Sequence, residues 1–172
     1  KNQTMPVIKD GELYAWTHKE GLLSAVGHEH RVQFTKFEVK VDGNNVEATV
    51  WVDSAEVNAV HKDGDRSKLD TSALTDANKE EIYGQVTGDL LKSSEFPKIF
   101  FKGTFTDGGE VKGELDVRGQ KKEVSGKGDF SSKYEGEFKF KPSEWGVPLP
   151  FSALMGGMKV KDEVEVTFSF AK

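Results

Sequence analysis

Two imidazoles flank one carboxylate in AVGHEHRVQF, the stretch from Ala25 to Phe34, and these are two of only four histidines in the chain. In an extended segment residues two apart share a face, so His28 and His30 point one way and Glu29 the other. Two imidazoles on one face can hold Zn²⁺ or Cu²⁺, but a working site needs a third ligand, which His18 or His61 could supply only through the fold. By phase with Val26, His28 and His30 continue to Val32 and Phe34, the face read as inward. There they are either hydrogen-bonded polar groups near a barrel mouth or pocket residues that meet a ligand head group. In the pocket role their protonation would make binding depend on pH. A metal-binding module or small metalloenzyme using His28 and His30 is the alternative. Other chemistry has little support. The chain has no Gly-x-Ser-x-Gly elbow, no His-Glu-x-x-His helix and no phosphate-cradling glycine loop. The reading is of a protein that is not an enzyme.

The elements that position these residues are strands. Val46, Ala48, Val50 and Val52 alternate with polar neighbours, as do Val111, Gly113, Leu115 and Val117, and Val164, Val166, Phe168 and Phe170. Such one-faced runs mark antiparallel strands with one wet side. Asp42-Gly43-Asn44-Asn45, Asp107-Gly108-Gly109 and Arg118-Gly119-Gln120 are hairpin turns. With Leu13–His18 and a long strand from Leu22 to Val41, about eight strands result. The apolar phase slips between Phe34 and Phe37, which predicts a bulge near Thr35–Lys36 and a bent strand. The predicted fold is all-β with one helix of note: an eight-stranded antiparallel β-barrel in a single domain over 1–172.

Two segments break the strand rhythm. Leu74, Asn78, Ile82, Val86 and Leu90 fall four apart and predict a helix within Ser72–Leu91, widened by Ala77 and Tyr83 and capped by Thr75. The apolar connection Lys141–Val160 contains Trp145 and Phe151 and should close over an opening, as the helix should at one end.

Composition narrows the function classes. A net charge of −5 argues against nucleic acid or an anionic membrane as partner. No apolar run reaches the ~18 residues of a membrane span, so stable membrane insertion is not expected. Without cysteine there are no disulfides or thiolate metal sites. The inward face is distinctive. Gly103, Gly113, Gly126, Gly128 and Gly136 stand among Phe101, Phe105, Phe130, Phe138, Phe140, Phe168 and Phe170. Glycines there either let a small barrel coil sharply or leave a greasy cavity for an extended hydrocarbon. In the second case the lining comprises His28, His30, Phe34, Phe101, Gly103, Phe105, Leu115, Gly126, Phe130, Phe138, Phe140, Trp145, Phe151 and Phe168. An isoprene unit buried in it would contribute roughly 3–4 kcal/mol before ordering costs. The outward Trp51 and Phe100, and Trp16 with them, either pack under the helix or loop or meet a second copy in a homodimer.

SSEFPKIFFKGTF (Ser93–Phe105), then GELDVRGQKKEV (Gly113–Val124), then WGVPLPFSALMGGMKVKDEVEVTF (Trp145–Phe168) resemble the YceI-like family in order over nearly the whole chain, and GHEHRVQF stands where one branch has Gly-His-Asp. The resemblance implies a lipocalin-like barrel with a long hydrophobic pore. It also implies non-enzymatic carriage, storage or sensing of a polyisoprenoid or quinone-type lipid, with that lipid in place of any cofactor. A periplasmic or secreted location after signal-peptide removal follows from it, although the polar start KNQTMPVIKDGE fits a mature N-terminus and a cytoplasmic start alike. SAEVNAV and the long connection to the helix depart from the family pattern, so the rim near Val57–Ala77 is where ligand preference could differ.

Overall fold

A computed structural model describes residues 5–20, 29–62, 65–148, 151–152 and 158–172. Thirteen strands lie in one antiparallel sheet. They are β1 (Val7–Ile8), β2 (Glu12–Glu20), β3 (Glu29–Phe34), β4 (Phe37–Asp42), β5 (Asn45–Trp51), β6 (Ala55–Lys62), β7 (Asp65–Asp70), β8 (Lys98–Phe105), β9 (Glu110–Val117), β10 (Gln120–Asp129), β11 (Lys133–Phe140), β12 (Phe151–Ser152) and β13 (Met158–Ala171). The hydrogen-bonded order is β1-β4-β5-β8-β9-β10-β11-β13-β2-β3-β6-β7, with β12 against β13.

Bends reconcile this count with the eight strands expected. The phase slip at Thr35–Lys36 interrupts a long strand, and β3 and β4 are its halves. The neighbouring strand bends at the facing position, where a 3₁₀ turn over Val52–Ser54 separates β5 from β6. Thr35 N donates to Ser54 O at 3.2 Å and Trp51 N to Lys36 O at 3.1 Å, so the two bends are clamped together. β1 and β2 are likewise collinear pieces, because β1 pairs β4 while β2 pairs β3. Counted through their bends, β1/β2, β3/β4, β5/β6, β8, β9, β10, β11 and β13 are eight staves, and β7 and the two-residue β12 are additions on β6 and β13. The sheet curls round because the pieces of three bent staves recur at both ends of its hydrogen-bonded path, β1, β4 and β5 at one and β2, β3 and β6 at the other, with β7 beyond β6.

The turns follow their chemistry. Arg118 and Gly119 both take positive φ (55° and 74°) in the two-residue loop between β9 and β10, the combination whose twist suits a tight hairpin. The helix is shorter than expected. Asp76–Gly84 is α-helical (α1), and Gln85–Leu90 widens into a π-helical turn. Thr75 caps it as expected: Asn78 N donates to Thr75 Oγ1 at 3.1 Å while Thr75 N donates to Asn78 Oδ1 at 3.3 Å. Ala77 and Tyr83 do not widen its apolar stripe. Ala77 is exposed, and the Tyr83 hydroxyl donates to Asp53 O at 3.0 Å. No helix among the described residues is long and apolar enough to cross a membrane.

The connection before the helix carries two strands. β6 pairs β3, and β7 pairs β6 antiparallel on its far side. Of the outward aromatics, Trp16 is buried, Trp51 is half-buried with Lys36 and Lys98 ammonium groups 4.7 and 5.2 Å from its ring centre, and Phe100 is 45% exposed.

Candidate functional site

The inward faces of the staves enclose a cavity of about 340 Å³, within the ~300–1,000 Å³ usual for small-molecule sites. Most of the lining comes from alternate residues of a strand: Leu13, Ala15 and Thr17 from β2; His30, Val32 and Phe34 from β3; Val164, Val166, Phe168 and Phe170 from β13. The lining is almost entirely hydrocarbon and aromatic.

Strand direction gives the cavity two unlike ends. At one, Phe105 lies 5.0 Å from Phe130 and 5.8 Å from Tyr134 between ring centres, and Phe37 lies 5.1 Å from Phe170. Tilted ring pairs, and the edge-to-face pair Phe105–Tyr134, pack this end. At the other end Ile82, Gln85, Val86, Leu90 and Leu91 from α1 and its π-helical extension lie across the opening. There too are the polar lining residues His30, Thr17 and Gln85, while Tyr134 stands at the first end. Thr17 Oγ1 bridges the His30 backbone, accepting from His30 N at 3.1 Å and donating to His30 O at 3.3 Å. Backbone order at the β2–β3 crossing therefore fixes where the imidazole starts.

Of the residues expected to line a pocket, His30, Phe34, Phe101, Phe105, Leu115, Gly126, Phe130, Phe138, Phe140 and Phe168 do so. His28 lies outside the described residues, as does the side chain of Phe151. Trp145 and Gly103 do not line the cavity. Trp145 is 1% exposed, donates Nε1–H to Leu115 O at 2.9 Å, and meets the Phe140 ring edge-on with centres 5.3 Å apart. It is a wedge between the closing segment and β9, because a buried indole N–H needs an acceptor and finds one on the barrel backbone. Gly103 faces Gly113 across β8 and β9. A Cβ at Gly113 would stand 2.6 Å from Gly103 Cα and 2.7 Å from Phe101 Cζ. One at Gly136 would stand 2.8 Å from both Lys127 O and Phe168 Cζ. The glycines thus serve closure: they let strands approach and rings lie flat across them. Only Gly126 of the five opens onto the cavity.

Val39, Val41, Val46, Ala48, Val50, Thr17 and Gln85 are not among the site residues expected from the sequence. All line the cavity. The period-two phase and the four-residue helical stripe carried the signal for most of them.

The metal alternative placed on His28 and His30 meets a different geometry. His30 faces the cavity, while Glu29 faces outward into a second cluster. Across neighbouring strands β6, β3, β2 and β13, the outer face holds His61, Glu29, His18 and Glu165. His18 Nδ1 is 3.3 Å from Glu29 Oε2, His61 Nδ1 is 3.8 Å from Glu29 Oε1, and His18 Nε2 is 3.6 Å from Glu165 Oε1. β7 covers the cluster. Its Arg66 guanidinium lies 4.6 Å over the Trp16 ring and pairs with Glu165. Burial pushes the His61 imidazole below its usual range, against the opposing effects of the Thr17 carbonyl and Glu29. The same desolvation lowers Arg66, which stays charged.

Comparison with known proteins agrees with this architecture. The YceI-like domain model matches residues 15–171. No curated protein sequence matches the chain. Among solved structures, BcnA of Burkholderia cenocepacia superposes with a TM-score of 0.60 at 18% identity, covering 95% of this chain and 99% of that one. A polyisoprenoid binding domain from Saccharophagus degradans, implicated in plant cell wall breakdown, gives a TM-score of 0.58 at 9% identity, covering 97% of each chain. The Campylobacter jejuni YceI protein gives 0.51 at 12% identity over 82% of this chain and 84% of that one. At these identities the likeness is one of fold.

Proposed function

The chain belongs to the YceI-like family, and from that premise we propose that its barrel binds a long isoprenoid-type lipid, tail inward, without chemical conversion. The observation that carries this reading is the cavity itself: about 340 Å³ lined almost wholly by aliphatic and aromatic side chains, with His30, Thr17 and Gln85 at the helix-covered end. A hydrocarbon tail is what such a lining favours, at about 0.8 kcal/mol for each methylene removed from water. The tail runs toward Phe105, Phe130 and Tyr134, and the head group lies near His30, Thr17 and Gln85. A quinone-type head suits this end, because the His30 imidazole and the Gln85 amide can each donate a hydrogen bond to a carbonyl. The polyisoprenoid binding of the Saccharophagus domain, which shares the fold, supports the same class of ligand.

Native mass spectrometry of the purified protein, as isolated and after incubation with a prenylated quinone, tests the proposal. A one-to-one complex is expected. Ala48 lines the cavity opposite Phe101, so Ala48→Trp should occupy the tail's space and abolish the complex while the barrel stays folded. Failure of the wild type to retain or take up any prenyl lipid would refute the assignment.

A further inference from the structure

We propose that the outer face of the barrel carries a site for one borderline divalent transition-metal ion such as Zn²⁺, ligated by His18, Glu29 and His61. This site lies on the opposite face from the lipid cavity and does not depend on the lipid reading.

The argument begins with protons. His61 Nε2 is 3.1 Å from Thr17 O, a carbonyl that can only accept, so Nε2 carries the hydrogen. Nδ1 of the same ring is then the inward-facing nitrogen. The side chain is 0% exposed, and Nδ1 has no hydrogen-bond partner. It faces Glu29 Oε1 at 3.8 Å, too far for a hydrogen bond. A buried nitrogen lone pair directed at a carboxylate is unfavourable unless a cation stands between them.

His18 repeats the problem. Its Nδ1 lies 3.3 Å from Glu29 Oε2, and its Nε2, buried and without a hydrogen-bond partner, lies 3.6 Å from Glu165 Oε1. Whichever nitrogen of the neutral ring holds the proton, the other turns a lone pair toward a carboxylate. An imidazolium at His18 would answer both carboxylates but would leave His61 Nδ1 unchanged.

One metal ion answers all of these at once. Ligand atoms from His18, Glu29 and His61 lie within 4.8 Å of one another, close enough for a shared ion with bonds of about 2.0–2.2 Å after small side-chain adjustment. The surroundings match those of metal-bound histidines, which pass their second ring N–H to a carbonyl or carboxylate. His61 does so to Thr17 O, and His18 Nε2 has Glu165 behind it. Two imidazoles and one carboxylate select Zn²⁺, Cu²⁺ or Ni²⁺ over the hard cations Ca²⁺ and Mg²⁺. A set of three protein ligands also leaves a fourth position for water.

Isothermal titration of the chelator-treated full chain with Zn²⁺ tests the site. One equivalent should bind at about micromolar affinity or tighter. His18→Gln and His61→Gln should each weaken it about 100-fold or more, whereas His30→Gln should match the wild type. A readout on the wild type alone covers variants that misfold: Zn²⁺ should shift the ring-nitrogen NMR signals of His18 and His61 and spare His30. Absence of a stoichiometric Zn²⁺ event in the wild type would overturn the proposal. So would undiminished binding by folded His61→Gln, or ring shifts at His30 in place of His18 and His61.

Discussion

At the scale of single residues, the chain places neighbours on opposite sides of one strand. His30 enters the cavity and Glu29 enters the outer cluster. The alternation of a strand makes that division legible from the sequence, as does the inward phase of Val32 and Phe34. The partners of Glu29 were not legible, because His18, Glu29 and His61 meet only through the pairings of β2 with β3 and β3 with β6. The position of His30 leads to a prediction about selectivity. His30→Leu removes an imidazole from the polar end of the cavity and keeps an apolar side chain there. Affinity for a prenylated quinone should fall by about five- to tenfold, the loss of roughly one hydrogen bond of about 1–1.5 kcal/mol. Affinity for a plain polyprenyl hydrocarbon of equal length should hold or rise. Competition between the two ligands measures this, and an equal change for both would remove His30 from head-group recognition.

At the scale of elements, Trp145 shows how an apolar segment can be read correctly and its residue assigned wrongly. The closing segment does pack on the barrel, but its largest side chain is a wedge whose N–H is tied to Leu115 O, so it does not line the cavity. The β6–β7 pair escaped notice for a related reason. Arg66, Ser67 and Lys68 show no apolar alternation, because β7 covers a charged outer cluster and needs no greasy face. The closing segment has a second tie, from Ser143 to Asp162 at the start of β13, where Ser143 N donates to Asp162 Oδ1 at 3.1 Å and its hydroxyl donates to Oδ2. The hydroxyl bond foremost, with the backbone bond, holds the Asp162 carboxyl below its usual range. A folded-state value lowered in this way stabilises the fold fully above the unfolded value of about 3.9, and the contribution is lost as pH falls through the folded value. The thermal midpoint of the wild type should therefore fall between about pH 5 and pH 3 more steeply than that of Asp162→Asn, and the variant should melt lower at pH 7. Parallel slopes in a calorimetric pH series would show that this tie contributes nothing to acid sensitivity.

At the scale of the whole molecule, the barrel encloses apolar space that its own side chains do not fill. Interiors are otherwise packed to crystal density, so unfilled apolar volume forfeits contacts that a ligand can restore. A ligand that binds only the native state raises stability by about 2.7 kcal/mol at a hundred times its Kd. For a chain of this size that corresponds to a rise of about 5–11 °C in melting temperature. The two unlike ends of the cavity then set a length rule. Each added isoprene unit has more lining to cover until the tail reaches the packed rings of Phe105, Phe130 and Tyr134. Affinity and melting temperature should climb with prenyl chain length and then level off, since further units would have to remain in water or displace a packed aromatic end. Differential scanning fluorimetry across a series of prenyl chains measures the climb and the plateau, with Ala48→Trp as the flat control. A melting temperature indifferent to chain length would mean that the tail lies elsewhere on the molecule and that the cavity is a by-product of closing the barrel.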